Sequence, residues 1–217
     1  MCFSANASFV AGIVLTSIGI GAIRKTQHPS QILFASIPLI FAVQQITEGF
    51  LWLTLPNPSW FESQRVLTYI FLLFAQIIWP IWVPIAILFL EKENTRKNIQ
   101  RILVGLGTLV SIYLTYCLFL FHIQARIIGY HIAYEQNYPP IFKYAAGILY
   151  VISTIIPPFF SHIRKMWLLG LTIFFSYLIT TIFYDNYLVS VWCFFASIIS
   201  ISVYIIMMEI RIKRAKI

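Results

Sequence analysis

The chain has 217 residues, of which 60% are hydrophobic and only 10% charged, and its formal net charge is +8. A water-facing surface needs about a quarter of its residues charged, so a soluble domain is excluded and lipid must be the solvent for most of the surface. The basic residues sit in short clusters between apolar runs, at Arg24-Lys25, Lys92 to Arg101, Arg164-Lys165 and Arg211 to Lys216. That is the pattern of membrane-protein loops, not of a nucleic-acid-binding face.

A span needs about 20 apolar residues to cross a hydrocarbon core about 30 Å thick. Seven runs meet this, at about 5–23, 32–55, 66–90, 102–121, 141–160, 167–184 and 187–210. They predict an all-α integral membrane bundle of seven transmembrane helices, one domain over 1–217. Nothing basic precedes the first run and Arg24-Lys25 follows it, so it is expected to stay in the membrane and not to be cleaved as a signal peptide. Pro38, Pro80, Pro84, Pro157 and Pro158 lie inside the runs and predict bends in the third and fifth helices. The longest non-cytoplasmic connection runs from His122 to Pro140, and its stretch from Ile127 to Tyr134 is rich in β-branched and aromatic residues. A strand or hairpin folded down as a lid fits it; an interfacial helix fits equally. Asp185-Asn186 is the turn between the last two helices.

Orientation follows from counting. With the N-terminus outside, the cytoplasmic segments hold Arg24, Lys25, Lys92, Arg96, Lys97, Arg101, Arg164, Lys165, Arg211, Lys213, Arg214 and Lys216, and the outer ones hold Arg65, Arg126 and Lys143. Twelve against three places the C-terminus in the cytoplasm, in the inner (plasma) membrane of the cell.

Ionisable groups are costly inside a bilayer, so each marks a candidate site. Glu48 is the clearest, and Gln44, Gln45 and Trp52 lie at i−4, i−3 and i+4 from it, on one helix face. That face is expected to point into the bundle. There it either ties helices together or lines a polar pocket in the outer half, with Glu48 as ligand or general acid/base. Gln76, Lys143, Tyr144 and Tyr150 reach a similar depth, as do Trp192 and Asp185 near the last turn. Cys2, His131 and Cys193 would complete a Cys/Cys/His/Glu set with Glu48 if the first and last helices are neighbours, and zinc or copper accepts such ligands. A Cys2–Cys193 disulfide is the alternative in an oxidising compartment. Removal of Met1 would leave an α-amine beside the Cys2 thiol. His28 and His162, on the opposite face, are expected to be solvated.

Met1-Cys2-Phe3-Ser4-Ala5, the stretch Gln45 to Gly49 with Trp52, Trp79-Pro80 with Pro84, Gly129 to Tyr134, and Ser190 to Ala196 together resemble an uncharacterised prokaryotic family of seven-helix membrane proteins. The resemblance implies topology over nearly the whole chain and no activity, and it implies that Cys2, Glu48, His131 and Cys193 matter together. Other seven-helix classes fit poorly. The run 187–210 has no lysine for a retinal Schiff base, and only four histidines exist for a membrane zinc hydrolase. Duplicated sugar carriers would need a proline in the first helix, which has none. The residues leave two readings: a binding protein or enzyme whose outer pocket holds a metal or a small amphiphile, or a non-enzymatic sensor, transporter subunit or scaffold whose polar residues only fix helix packing.

Overall fold

The computed structural model describes residues 4–183 and 195–214, without the side chains of 140–143 and 213–214. These residues are mostly helical. In chain order they form α1 (Ala5–Ile23), α2 (Ile32–Ala35), α3 (Ile37–Thr54), α4 (Phe61–Leu72), a π-helical segment (Leu73–Ile78), α5 (Trp79–Leu90) and α6 (Asn94–Leu120). A hairpin of β1 (Ile123–Ile128) and β2 (His131–Gln136) follows, then α7 (Pro140–Ile155), α8 (Met166–Phe183) and α9 (Ala196–Arg214). Five described segments are long and apolar enough to cross a membrane: Ala5–Ile23, Pro29–Thr54, Pro58–Leu90, Asn94–Leu120 and Met166–Phe183. Tyr144–Ile155 is a shorter apolar helix.

Over the described residues the expected runs map onto these elements with three main differences, and residues 187–194 of the last run lie outside the described residues. The third starts earlier, at α4, and continues through the π segment. The fourth begins at Asn94, because the basic stretch through Arg101 continues the helix beyond its apolar part. The fifth ends at Ile155, and Pro157–Phe160 forms a 3-10 turn, since neither Pro157 nor Pro158 can donate a helical N–H.

The proline breaks are met by side chains from neighbouring helices. Ser36 separates α2 from α3, whose second residue is Pro38; at this break the Leu33 carbonyl accepts Trp82 Nε1 from α5 at 3.0 Å and Ser36 Oγ at 2.9 Å. In the π segment, the Ala75 carbonyl accepts the Tyr150 hydroxyl at 2.5 Å and the Ile77 carbonyl accepts Ser111 Oγ at 2.9 Å. The Pro157 carbonyl accepts Gln100 Nε2 at 2.8 Å. Where no water reaches, each such group left unmet costs several kcal/mol. Pro84 also deprives the Pro80 carbonyl of its helical donor. Gly107 of α6 packs directly on that oxygen, which would sit 1.9 Å from a Cβ at this position.

α1 and α3 pack closely, with Gly12 against Ile46 and Gly49 against Phe9. α9 packs on α1 and α8, so the expected contact between first and last helices is present. The predicted hairpin is real: the strands pair from Ile123 with Gln136 to Ile128 with His131. Its turn uses Gly129 at φ 61, the conformation that a two-residue loop with glycine first requires. Ile132 is fully buried and Tyr134 stacks on Phe71 at 4.7 Å, so the hairpin lies on the ends of α3 and α4.

Gly107→Ala should therefore destabilise the protein by about 1–3 kcal/mol, whereas Gly105→Ala, with nothing within 4 Å of the added carbon, should be neutral or stabilising. Unfolding of the two variants in mixed detergent micelles measures this, and equal stabilities would show that the α5–α6 contact is slack.

Candidate functional site

A cavity of about 310 Å³ lies beneath the hairpin, among α3, the π segment, α5, α6, α7, α8 and α9. Its polar groups come from the hairpin end. Gln76 projects from the π segment, its Nε2 donating to Gln136 Oε1 of β2 at 2.8 Å and its Oε1 accepting the Tyr138 hydroxyl at 3.0 Å. Gln44 Oε1 accepts Trp79 Nε1 at 3.0 Å, and Trp79 in turn stacks on Phe41 with centroids 4.0 Å apart. Burial, with Cys117 and Tyr69 nearby, pushes the Tyr138 phenol well above its ordinary value, the Gln76 hydrogen bond working the other way. Tyr138 is held as a neutral donor.

Deeper in, the lining turns apolar. On α3, Gln44 gives way to Phe41 and Ile37; along the π segment and α5, Gln76 gives way to Val83; on α8, Tyr177 gives way to Ile173 and Leu169. Seven helical residues separate Gln76 from Val83, about 10 Å along the axis. Thr154 is the polar residue at depth, and its hydroxyl is already spent on the Tyr150 carbonyl at 2.8 Å. The cavity is amphipathic along its length.

The helix face expected around Glu48 does point inward. Glu48 is fully buried, and Gln44, Gln45 and Thr47 are buried with it. Gln44 and Gln76 line the cavity; Gln45, Glu48 and Trp52 are not among its lining residues. Trp52 instead packs with the hairpin cluster around Leu51 and Ile132, its Nε1 buried with no hydrogen-bond partner among the described residues. One helical turn separates Glu48 from Trp52, so the hairpin and its His131 lie at the same end of the bundle as Glu48. Burial lowers the His131 imidazole below its ordinary value. Cys2, Asp185, Trp192 and Cys193 lie outside the described residues, and among the described residues no three His, Cys, Asp or Glu side chains are grouped to hold a metal ion. Tyr150 lines the cavity as expected, but Tyr144 is 82% exposed and is not among its lining residues; the Lys143 side chain is outside the described set.

Two features escaped sequence reasoning. Gln136 and Tyr138 reach Gln76 across 60 and 62 residues, and no local periodicity encodes such a pairing. At the other end of the bundle, His162 is not simply solvated: its Nδ1 lies 2.7 Å from the fully buried carboxylate of Glu91. Glu91 stands among charged neighbours, Lys92 and Glu93, and reads as an ordinary loop residue. His28 is exposed as expected.

No curated protein and no solved structure matches the chain. The model of a family of unknown function, DUF6629, matches residues 1–216, which agrees with the uncharacterised, whole-chain family expected from the motifs. The chain, with its apolar spans, hairpin and amphipathic cavity, belongs to the family of unknown function DUF6629.

Proposed function

We propose that the protein crosses the plasma membrane seven times as one domain, N-terminus outside and C-terminus in the cytoplasm, and binds a small amphiphile in the cavity under the hairpin. The observation that carries the binding reading is the polarity gradient of the cavity. Gln44, Gln76, Gln136 and Tyr138 offer amides and a phenol at one end, and Ile37, Val83, Leu169 and Ile173 form an apolar floor at the other. A volume of about 310 Å³ falls at the small end of ligand pockets. A hydrogen-bonding head beside Gln76 and a short apolar body below it satisfy both ends. Among the described residues no charged side chain lines the cavity, which favours a neutral head such as an alcohol or amide.

The distribution of basic residues supports the topology, since all four segments assigned to the cytoplasm carry basic residues, twelve in total against three in the outer segments. α9 and the shorter α7 complete seven passes when added to the five long apolar segments. A second reading, in which the polar residues only lock helix packing, is favoured by the hydrogen bonds that Gln44 and Gln76 already make. The zinc or copper reading depends on Cys2 and Cys193 and is tested by metal analysis of the purified protein with and without Cys193→Ser.

Two measurements test the main reading. A terminally brominated medium-chain alcohol should quench Trp79 fluorescence saturably, and Ala146→Phe, which fills the cavity, should weaken the apparent affinity roughly tenfold or more, a loss of about 1.4 kcal/mol. Non-saturable quenching, identical in both proteins, would leave only helix packing as the role of the polar layer. For topology, a cysteine placed at the exposed Tyr130 position (Tyr130→Cys) in a background lacking the native thiols should react with an impermeant maleimide on intact cells, and Lys97→Cys should react only after lysis. The reverse pattern inverts the orientation.

A further inference from the structure

The end of the bundle opposite the hairpin carries a second built arrangement, independent of the cavity above. α5 stops at Leu90, and the Glu91 side chain that follows is fully buried. Its carboxylate meets only donors: the Ser161 hydroxyl, the His162 backbone N–H at 3.2 and 3.3 Å, and His162 Nδ1 at 2.7 Å. A carboxylate on Nδ1 fixes the ring's tautomer, with the Nδ1–H directed at Glu91. Nε2 is thus the nitrogen left for the cavity of about 460 Å³ that His162 lines.

Three of the other polar residues lining this cavity, His28, Gln31 and Lys92, present donors. His28 Nδ1 is occupied by Ser30, accepting its backbone N–H at 3.3 Å beside the Ser30 hydroxyl at 2.9 Å, which leaves Nε2 to carry the proton. Gln31 Oε1 accepts the Gln27 N–H at 2.8 Å, leaving its NH₂ group. Lys92 adds an ammonium. The one further carboxylate in the lining, Glu209, has an oxygen engaged by the Lys165 N–H at 3.1 Å. Phe89, Leu90, Ile163 and Ile210 supply an apolar wall beside these groups.

We propose that this cavity binds a phosphate-bearing group, with His28, Gln31 and Lys92 as donors to its oxygens and with His162 held against the wall by the buried Glu91 carboxylate. Charge-assisted hydrogen bonds to phosphate oxygens are the strongest that such side chains form. The apolar wall admits the root of a phospholipid headgroup, and the same donors would hold free phosphate. Arg164, Lys165 and Arg211 follow or precede the lining in sequence and add attraction for an anion.

The test uses the full chain in nanodiscs of phosphatidylcholine, to which either phosphatidylglycerol or inorganic phosphate is added while Tm is followed. A saturable rise in Tm is expected in the wild type. The double variant His28→Gln/Lys92→Gln, which leaves Glu91 and its partners in place, should shift half-saturation at least roughly tenfold, a loss of about 1.4 kcal/mol. Lys97→Gln, a basic residue outside the cavity, should leave half-saturation unchanged. A rise with phosphatidylglycerol alone identifies a lipid headgroup as the source, and a rise with phosphate as well identifies a soluble one; both support the site. No rise with either probe, an unchanged double variant, or an equal loss in Lys97→Gln overturns it.

Discussion

The arrangement depends on one constraint: a carbonyl released by a proline or a helix break inside an apolar bundle must find a donor in the protein. Trp82 supplies it for the Leu33 carbonyl, Tyr150 and Ser111 for the π segment, and Gln100 for Pro157. Each donor comes from a different helix than the break it serves. The hydrogen bonds therefore join α2 to α5, the π segment to α6 and α7, and α6 to the turn after α7, specifying neighbours where apolar packing in lipid gives little direction. Gly107 extends the same logic without a donor, since its bare Cα lies close enough to the Pro80 oxygen for a weak C–H···O contact.

That constraint also builds the cavity. Tyr150 lines it with its ring while its hydroxyl is committed to Ala75, and Gln76, in the widened π turn, reaches the hairpin strand and the residue beyond it. π turns commonly mark functional positions in helices. Here the irregularity lets one glutamine join the helical wall of the cavity to the hairpin. The hairpin is thereby held at two places, by Gln136 and Tyr138 on the cavity side and by Ile132 and Tyr134 on the α3–α4 side.

What could be read from the sequence divides along local and non-local lines. The five long apolar segments, the inward face of Gln44, Gln45 and Glu48, and a stretch from Ile127 to Tyr134 that suits a strand or hairpin all follow from composition, a 3.6-residue period and β-propensity within short windows, although an interfacial helix suited that stretch equally. α6 starts at Asn94, ahead of the apolar run from 102, because charge marks only the end of a helix's apolar part and not the end of the helix. The Gln76–Gln136–Tyr138 triplet and the Glu91–His162 pair join segments 60 to 71 residues apart, and nothing in either segment names its partner. Glu91 illustrates the difficulty: flanked by Leu90 and Lys92, it is buried only because the Ser161-His162 turn folds over it.

The two cavities are separated by a dry layer. On α5, Val83 faces the upper cavity and Leu90 the lower, with Ala86 and Ile87 fully buried between them; at the start of α8, Met166 is fully buried between Leu169 and Ile163, which precedes the helix; on α9, Ile199 and Ile210 bracket Val203 and Ile206. Each helix thus contributes about two turns of apolar side chain, a barrier on the order of 10 Å thick. An ion crossing it would lose its hydration with no compensating ligand, at a cost of many kcal/mol. Such a bundle is suited to holding ligands at its two ends, and movement of a charged solute between them would require this layer to part.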